Sequence, residues 1–170
     1  MKMLTILKLI TSSLLVLSAL QQIFTKDTWA FIQNVNLIFH EAGHVIFIFF
    51  GETLYILGGS ILEITIPLIV TVHFVWTKQF FSAAVTCWWL ATALLSVSIY
   101  ASDARERVLP LITNDISTHD WFNLLNNHNL LKYDDVIGFI FWGLALGSTF
   151  MIIFFVSKDK DVLRISSRDT

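Results

Sequence analysis

The sequence predicts an all-α fold, a polytopic membrane helical bundle of about five transmembrane helices plus a short interfacial helix. Three observations lead there. Hydrophobic residues make up 55% of the 170 and charged residues only 14%, against about 25% charged in a typical soluble domain. Mean hydropathy is +0.70. The apolar residues fall in long blocks rather than amphipathic stripes, and 102–135 is the one substantial polar stretch before the charged tail. The length suits a single domain over 1–157, followed by a charged tail, 158–170, expected to be mobile.

The elements follow in order. Residues 3–24 form a first span, preceded by Lys2 and interrupted by Lys8. The stretch is long for a secretory signal, and no small-x-small cleavage site stands out around Ser18-Ala19-Leu20, so an uncleaved helix is expected. Lys26-Asp27-Thr28 breaks the chain, and Asp27 or Thr28 can cap the next span, 29–50, which is long enough for a hydrocarbon layer of about 30 Å. Gly51-Glu52 and Gly58-Gly59 bracket a short connection. The third span, 60–76, contains Pro67, which should kink it. Lys78-Gln79 marks the next turn, and 81–101 is a fourth span carrying Trp88, Trp89 and Tyr100. In the polar stretch, "STHDWFNLLNNHNLL" reads as a short amphipathic helix with Trp121 and Phe122 facing lipid headgroups. Residues 136–156 complete the set.

Charge and cysteine content narrow the partners. The net charge is −2 with no basic stripe, so no nucleic-acid partner is expected. Cys87 stands alone, which rules out an intrachain disulfide and suits a small packing residue. Basic residues divide almost evenly between the two sides of a five-span chain, which leaves orientation open. The expected location is an integral, multi-pass position in a membrane of the bacterial plasma-membrane type, with the lipid bilayer as constant partner.

One motif carries chemistry. His40-Glu41-Ala42-Gly43-His44 is an HExxH pattern inside an oily helix. Residues four apart project from one helix face, so both imidazoles can hold one metal ion. Glu41 is then placed to act as general base on a water whose pKa zinc lowers to about 7. Gly43 removes bulk beside the site, so a substrate or another helix can approach. Ionisable residues within a span are functional by default, although a His–Glu–His cluster tying helices together would also satisfy these groups.

A catalytic zinc site takes three protein ligands and keeps one open position. By span count, the residues after the fourth helix return to the membrane face nearest His44. Asp103 ends that helix, and His119 and Asp120 begin the surface helix. Asp103 can instead pair with Arg107 at i+4, and Asp120 can be a helix-start charge capped by Thr118 or Ser117. Glu63 lines a substrate path or faces the headgroup layer. His73 is a further ligand candidate or an interior hydrogen-bonded histidine. Asn36, one turn before His40, orients an imidazole or binds helices together. His128 is expected to be solvated.

"HEAGH" in a transmembrane helix resembles the site-2 protease class of intramembrane zinc metalloproteases. In that class a helix two spans later carries an aspartate ligand, and by span count Asp103 in Ser102-Asp103-Ala104 takes that place. This chain lacks the Leu-Asp-Gly context and the preceding Asn and Pro of the class pattern. The resemblance implies zinc held by His40, His44 and Asp103, with His119 as substitute, and Glu41 as catalytic residue. It also implies cleavage of a peptide bond in a membrane protein or peptide substrate, in or near a membrane segment. Two other classes stay open. One is a non-catalytic membrane protein binding a divalent metal for structure, sensing or transport. The other is a helical scaffold without metal.

Overall fold

The computed structural model describes residues 2–26 and 31–166, and among them every regular element is helical. The α-helices are α1 (Lys2–Thr25), α2 (Phe31–Phe47), α3 (Glu52–Trp76), α4 (Phe80–Ser102), α5 (Asp120–Asn127), α6 (Asp134–Lys158) and α7 (Lys160–Ser166). Asp27, Thr28 and Trp29, expected to open the second span, lie outside the described residues.

Among the described residues, four helices are long and apolar enough to cross a membrane: Met3–Thr25, Glu52–Trp76, Phe80–Ser102 and Leu131–Lys158. That is one fewer than the sequence suggests. The missing one is α2, which has 17 described residues, or about 26 Å at 1.5 Å per residue. It gives way to a 3-10 turn at Ile48–Phe50, and the chain reverses at Gly51, whose φ of +90° only glycine adopts readily.

The second difference concerns glycines. The sequence places Gly58-Gly59 in a connection, whereas both lie inside α3, which begins at Glu52. They serve contact, not turning. A Cβ on Gly43 would collide with the Gly58 carbonyl, and one on Gly58 would collide with Phe47. Gly43 and Gly58 therefore let α2 and α3 approach backbone to backbone, the small-residue packing that membrane helices use in place of a hydrophobic driving force. Pro67 is buried within α3; it carries no N–H, so the carbonyl of Glu63 one turn earlier loses its helical donor.

α4 is the central helix. It packs most extensively on α6 and also against α1 and α3. Small buried residues, among them Ala83, Ala84, Cys87, Ala91 and Ala101, let the neighbours close in. Ser98 Oγ donates to the Gly138 carbonyl at 2.7 Å, and Cys87 Sγ lies 3.2 Å from the Ser148 carbonyl. Cys87 is thus a packing residue.

The expected mobile tail begins as structure. Lys8, the charge inside α1, binds Asp159 at 2.9 Å and Asp161 at 2.7 Å, and α7 follows directly. Burying Lys8 and Asp159 without each other would cost several kcal/mol per ion, so the pair joins the start of the chain to the end of α6.

Candidate metal centre

His40 and His44 stack along one face of α2 with ring centroids 5.0 Å apart. Each ring is held by its Nδ1. His40 Nδ1 donates to Glu63 Oε2 at 3.0 Å, and His44 Nδ1 donates to the Tyr55 carbonyl at 2.9 Å. Both acceptors come from α3, which the glycine contact brings close. With Nδ1 spent on an acceptor, each imidazole presents Nε2 to whatever lies beyond.

What lies there is Asp120. Its Oδ2 is 3.0 Å from His40 Nε2 and 3.2 Å from His44 Nε2. One ligand atom from each of the three residues falls within 4.8 Å of the others. With only protons in this space, the three-way contact needs extra protons on the imidazoles or on the carboxylates, in a largely buried site. A bound cation would take the place of those protons. Tetrahedral coordination with bonds of 2.0–2.1 Å puts ligand atoms about 3.3 Å apart, close to the two spacings to Asp120. Glu63 is 3% exposed, and its Oε1 has no hydrogen-bond partner among the described residues. A dication would balance Glu63 and Asp120 with both imidazoles neutral. The donor set therefore fits a divalent transition-metal ion.

Gly59 shapes the back of the site. A Cβ there would sit 2.6 Å from His40 Nε2 and 2.7 Å from His44 Nε2, so any side chain would press into the space where the two nitrogens converge.

Asp120 is placed by its neighbours. It opens α5, with His119 as N-cap. Its backbone N–H donates to Tyr100 Oη at 3.0 Å, and Tyr100 Oη in turn lies 3.3 Å from Asp120 Oδ2. Trp121 is 6% exposed and donates from Nε1 to Ser60 Oγ at 3.2 Å, pinning α5 to α3. The sequence turns Trp121 toward headgroups, but the structure turns it inward. Burial alone would push the Asp120 carboxyl up; with both rings protonated and no cation bound, hydrogen bonds from His40 and His44 outweigh it and bring its pKa down to about 2.

Asp103 and His119 are not at this centre. Asp103 accepts from the backbone N–H of Val108 at 3.0 Å and of Leu109 at 3.1 Å, and its Oδ2 meets His119 Nε2 at 3.2 Å. His119 Nδ1 accepts the Phe122 N–H at 3.2 Å. Both nitrogens of His119 and both oxygens of Asp103 are thus engaged with protein. The structure brings Asp120, not Asp103 or His119, to the histidine pair, because turning the chain after α4 uses up the Asp103 carboxylate. Burial also pushes the His119 pKa down, which favours the neutral ring that this arrangement needs. No ion pair joins Asp103 to Arg107; the Arg107 guanidinium instead lies 4.0 Å from the Phe122 ring centroid.

The other candidates separate cleanly. Asn36 accepts from Trp89 Nε1 at 2.8 Å and donates to Gln33 at 2.9 Å, so it ties α2 to α4 and leaves the imidazoles alone. His73 is exposed in the last turn of α3, ten residues and about 15 Å along the helix from Glu63. His128 is exposed and lies 3.3 Å from Thr53 Oγ1. Sequence reasoning missed Tyr55, whose contribution is a carbonyl, and Gly59 and Tyr100.

The centre opens into a cleft of about 940 Å³ between one face of α2, the end of α4 and the segment 109–113. Glu41 is exposed and lines it beside His40, His44 and Asp120. Gln33, Asn34 and Thr113 supply uncharged polar groups along the walls. Comparison with protein-family models, curated proteins and solved structures found no match, so the functional reading rests on this geometry.

Proposed function

We propose that this chain is a multi-pass membrane zinc metallopeptidase of the site-2 protease type, cutting a peptide bond in or near a membrane segment. It would reside in a membrane of the bacterial plasma-membrane type. The observation that carries the reading is the convergence of His40 Nε2, His44 Nε2 and Asp120 Oδ2 beside an exposed Glu41 in one cleft. Those three residues would hold zinc, which when bound supplies Lewis acidity toward a carbonyl and a water.

The chain's own residues do the rest. Glu63 and the Tyr55 carbonyl hold the two rings in orientation. Glu41 accepts a proton from water and passes it to the leaving amine, the work of a general base and then a general acid. A helical substrate must unwind before cleavage because its carbonyls are already hydrogen-bonded. Gln33, Asn34 and Thr113 offer partners to the backbone groups that unwinding frees.

The test is Glu41→Gln, with purified protein and a fluorogenic transmembrane peptide. Cleavage should fall by about 10²–10⁴-fold while bound zinc stays near one equivalent per chain. Normal cleavage by the variant would sink the peptidase reading. Zinc binding without cleavage by the wild-type protein would leave a metal-binding membrane protein.

A further inference from the structure

We infer that Asp103 and His119 form a brace coupling the wall of the cleft to the cation ligand Asp120, so that occupation of the centre and order in that wall rise and fall together. This rests on the metal reading above.

Asp103 holds two things with one carboxylate. Its oxygens accept the backbone N–H groups of Val108 and Leu109, which fixes the start of the wall segment Leu109–Thr113. Oδ2 also accepts His119 Nε2–H. His119 is completely buried, and its Nδ1 caps α5 through the Phe122 N–H. The residue after the cap is Asp120. The path from wall to ligand is therefore one carboxylate, one imidazole and one peptide unit. Two further contacts run parallel to it. Thr113 Oγ1 lies 2.6 Å from Thr118 Oγ1, and Arg107 covers Phe122.

A polar pair of this kind would be a costly way to achieve packing alone. A buried imidazole and carboxylate must both be fully hydrogen-bonded to be tolerated, and here every bond leads either to the wall or to α5. Leu109 and Leu111 are half-buried and Pro110, Ile112 and Thr113 are exposed, so no fully buried side chain holds the wall. Its order depends on Asp103. Linkage is reciprocal: if a cation orders Asp120 and the wall follows, ordering the wall strengthens cation binding by the same factor.

The decisive variant is His119→Asn. Asparagine is a strong N-cap and keeps the bond to the Phe122 N–H, but it is too short to reach Asp103. Zinc affinity is read by competition with a chromophoric chelator. Order in the wall is read by hydrogen exchange of the amides at 108–113, with and without zinc. In the wild-type protein zinc should slow that exchange about tenfold, within the usual range of coupling between sites. In His119→Asn the slowing should shrink to less than about twofold, and the zinc Kd should rise about tenfold.

Asp103→Asn should reproduce both changes, and covers the case in which His119→Asn does not fold. A purely structural His119 would lower thermal stability with and without zinc and leave the slowing intact, which overturns the coupling. Exchange that does not respond to zinc in the wild-type protein overturns it too. Failure of the wild-type protein to bind zinc at all removes the metal reading, and this inference with it.

Discussion

Two imidazole–carboxylate clusters lie within a few residues of each other, built from the same chemistry and put to opposite uses. In one, His40 and His44 face Asp120 at 3.0 and 3.2 Å; in the other, His119 faces Asp103 at 3.2 Å. Distance does not separate them. The second ring nitrogen does. His40 and His44 donate their Nδ1–H groups to Glu63 and to the Tyr55 carbonyl, which leaves Nε2 as the lone-pair atom. His119 accepts at Nδ1 from a backbone N–H, so its one proton sits on Nε2 and goes to Asp103. A histidine whose far nitrogen is given an acceptor presents a lone pair that could hold a metal, and one whose far nitrogen is given a donor presents a proton instead.

Exchanging the carboxylates is the sharpest way to break this contrast. Asp120→Ala should weaken zinc binding on the order of 10³-fold, one ligand's share of a structural-scale zinc affinity. Asp103→Ala should keep one equivalent at saturating zinc. Elemental analysis after gel filtration reads both, and equal losses would erase the distinction.

Glu63 comes next. Glu63→Ala removes the acceptor that sets the His40 ring and should cost about 10–100-fold in zinc affinity. Glu63→Gln keeps an acceptor oxygen, so it should cost less than Glu63→Ala; chelator competition measures both, and the reverse order would show that ring orientation is set elsewhere.

The smallest effect belongs to Asn36, one turn before His40 on α2, whose bonds go to Trp89 and Gln33 rather than to the centre. Asn36→Ala removes the bond from Trp89 and should destabilise the fold by about 0.6–1.7 kcal/mol. Zinc affinity should stay within about twofold of wild type, since unfolding titrations and metal binding report separate events at sites without shared partners.

Much of this arrangement is legible in the sequence, for identifiable reasons. Helical periodicity alone puts His40 and His44 on one face, and block hydrophobicity alone gives the all-α bundle. Gly58-Gly59 misleads because a glycine pair signals a turn in water and a close helix contact in a membrane. Residue type does not separate Asp103 from Asp120, and span count places both after the fourth helix while the resemblance points to Asp103. Their difference arises in the segment between them, where the N–H groups of Val108 and Leu109 claim one carboxylate and leave the other to face the histidines. Glu63 stands out as an acid within an apolar stretch, but its partner is fixed only by the register of α3 on α2.

Pro67 gives that register a mechanical side. The rung it removes from α3 is the one that would have tied down the carbonyl of Glu63, the residue that aims His40. A rung already missing costs nothing to open. Bending of α3, whether imposed by a thinner bilayer or by a neighbouring helix, will therefore concentrate at this point, and the last third of α3, beyond Pro67, becomes a lever whose fulcrum lies one turn from Glu63.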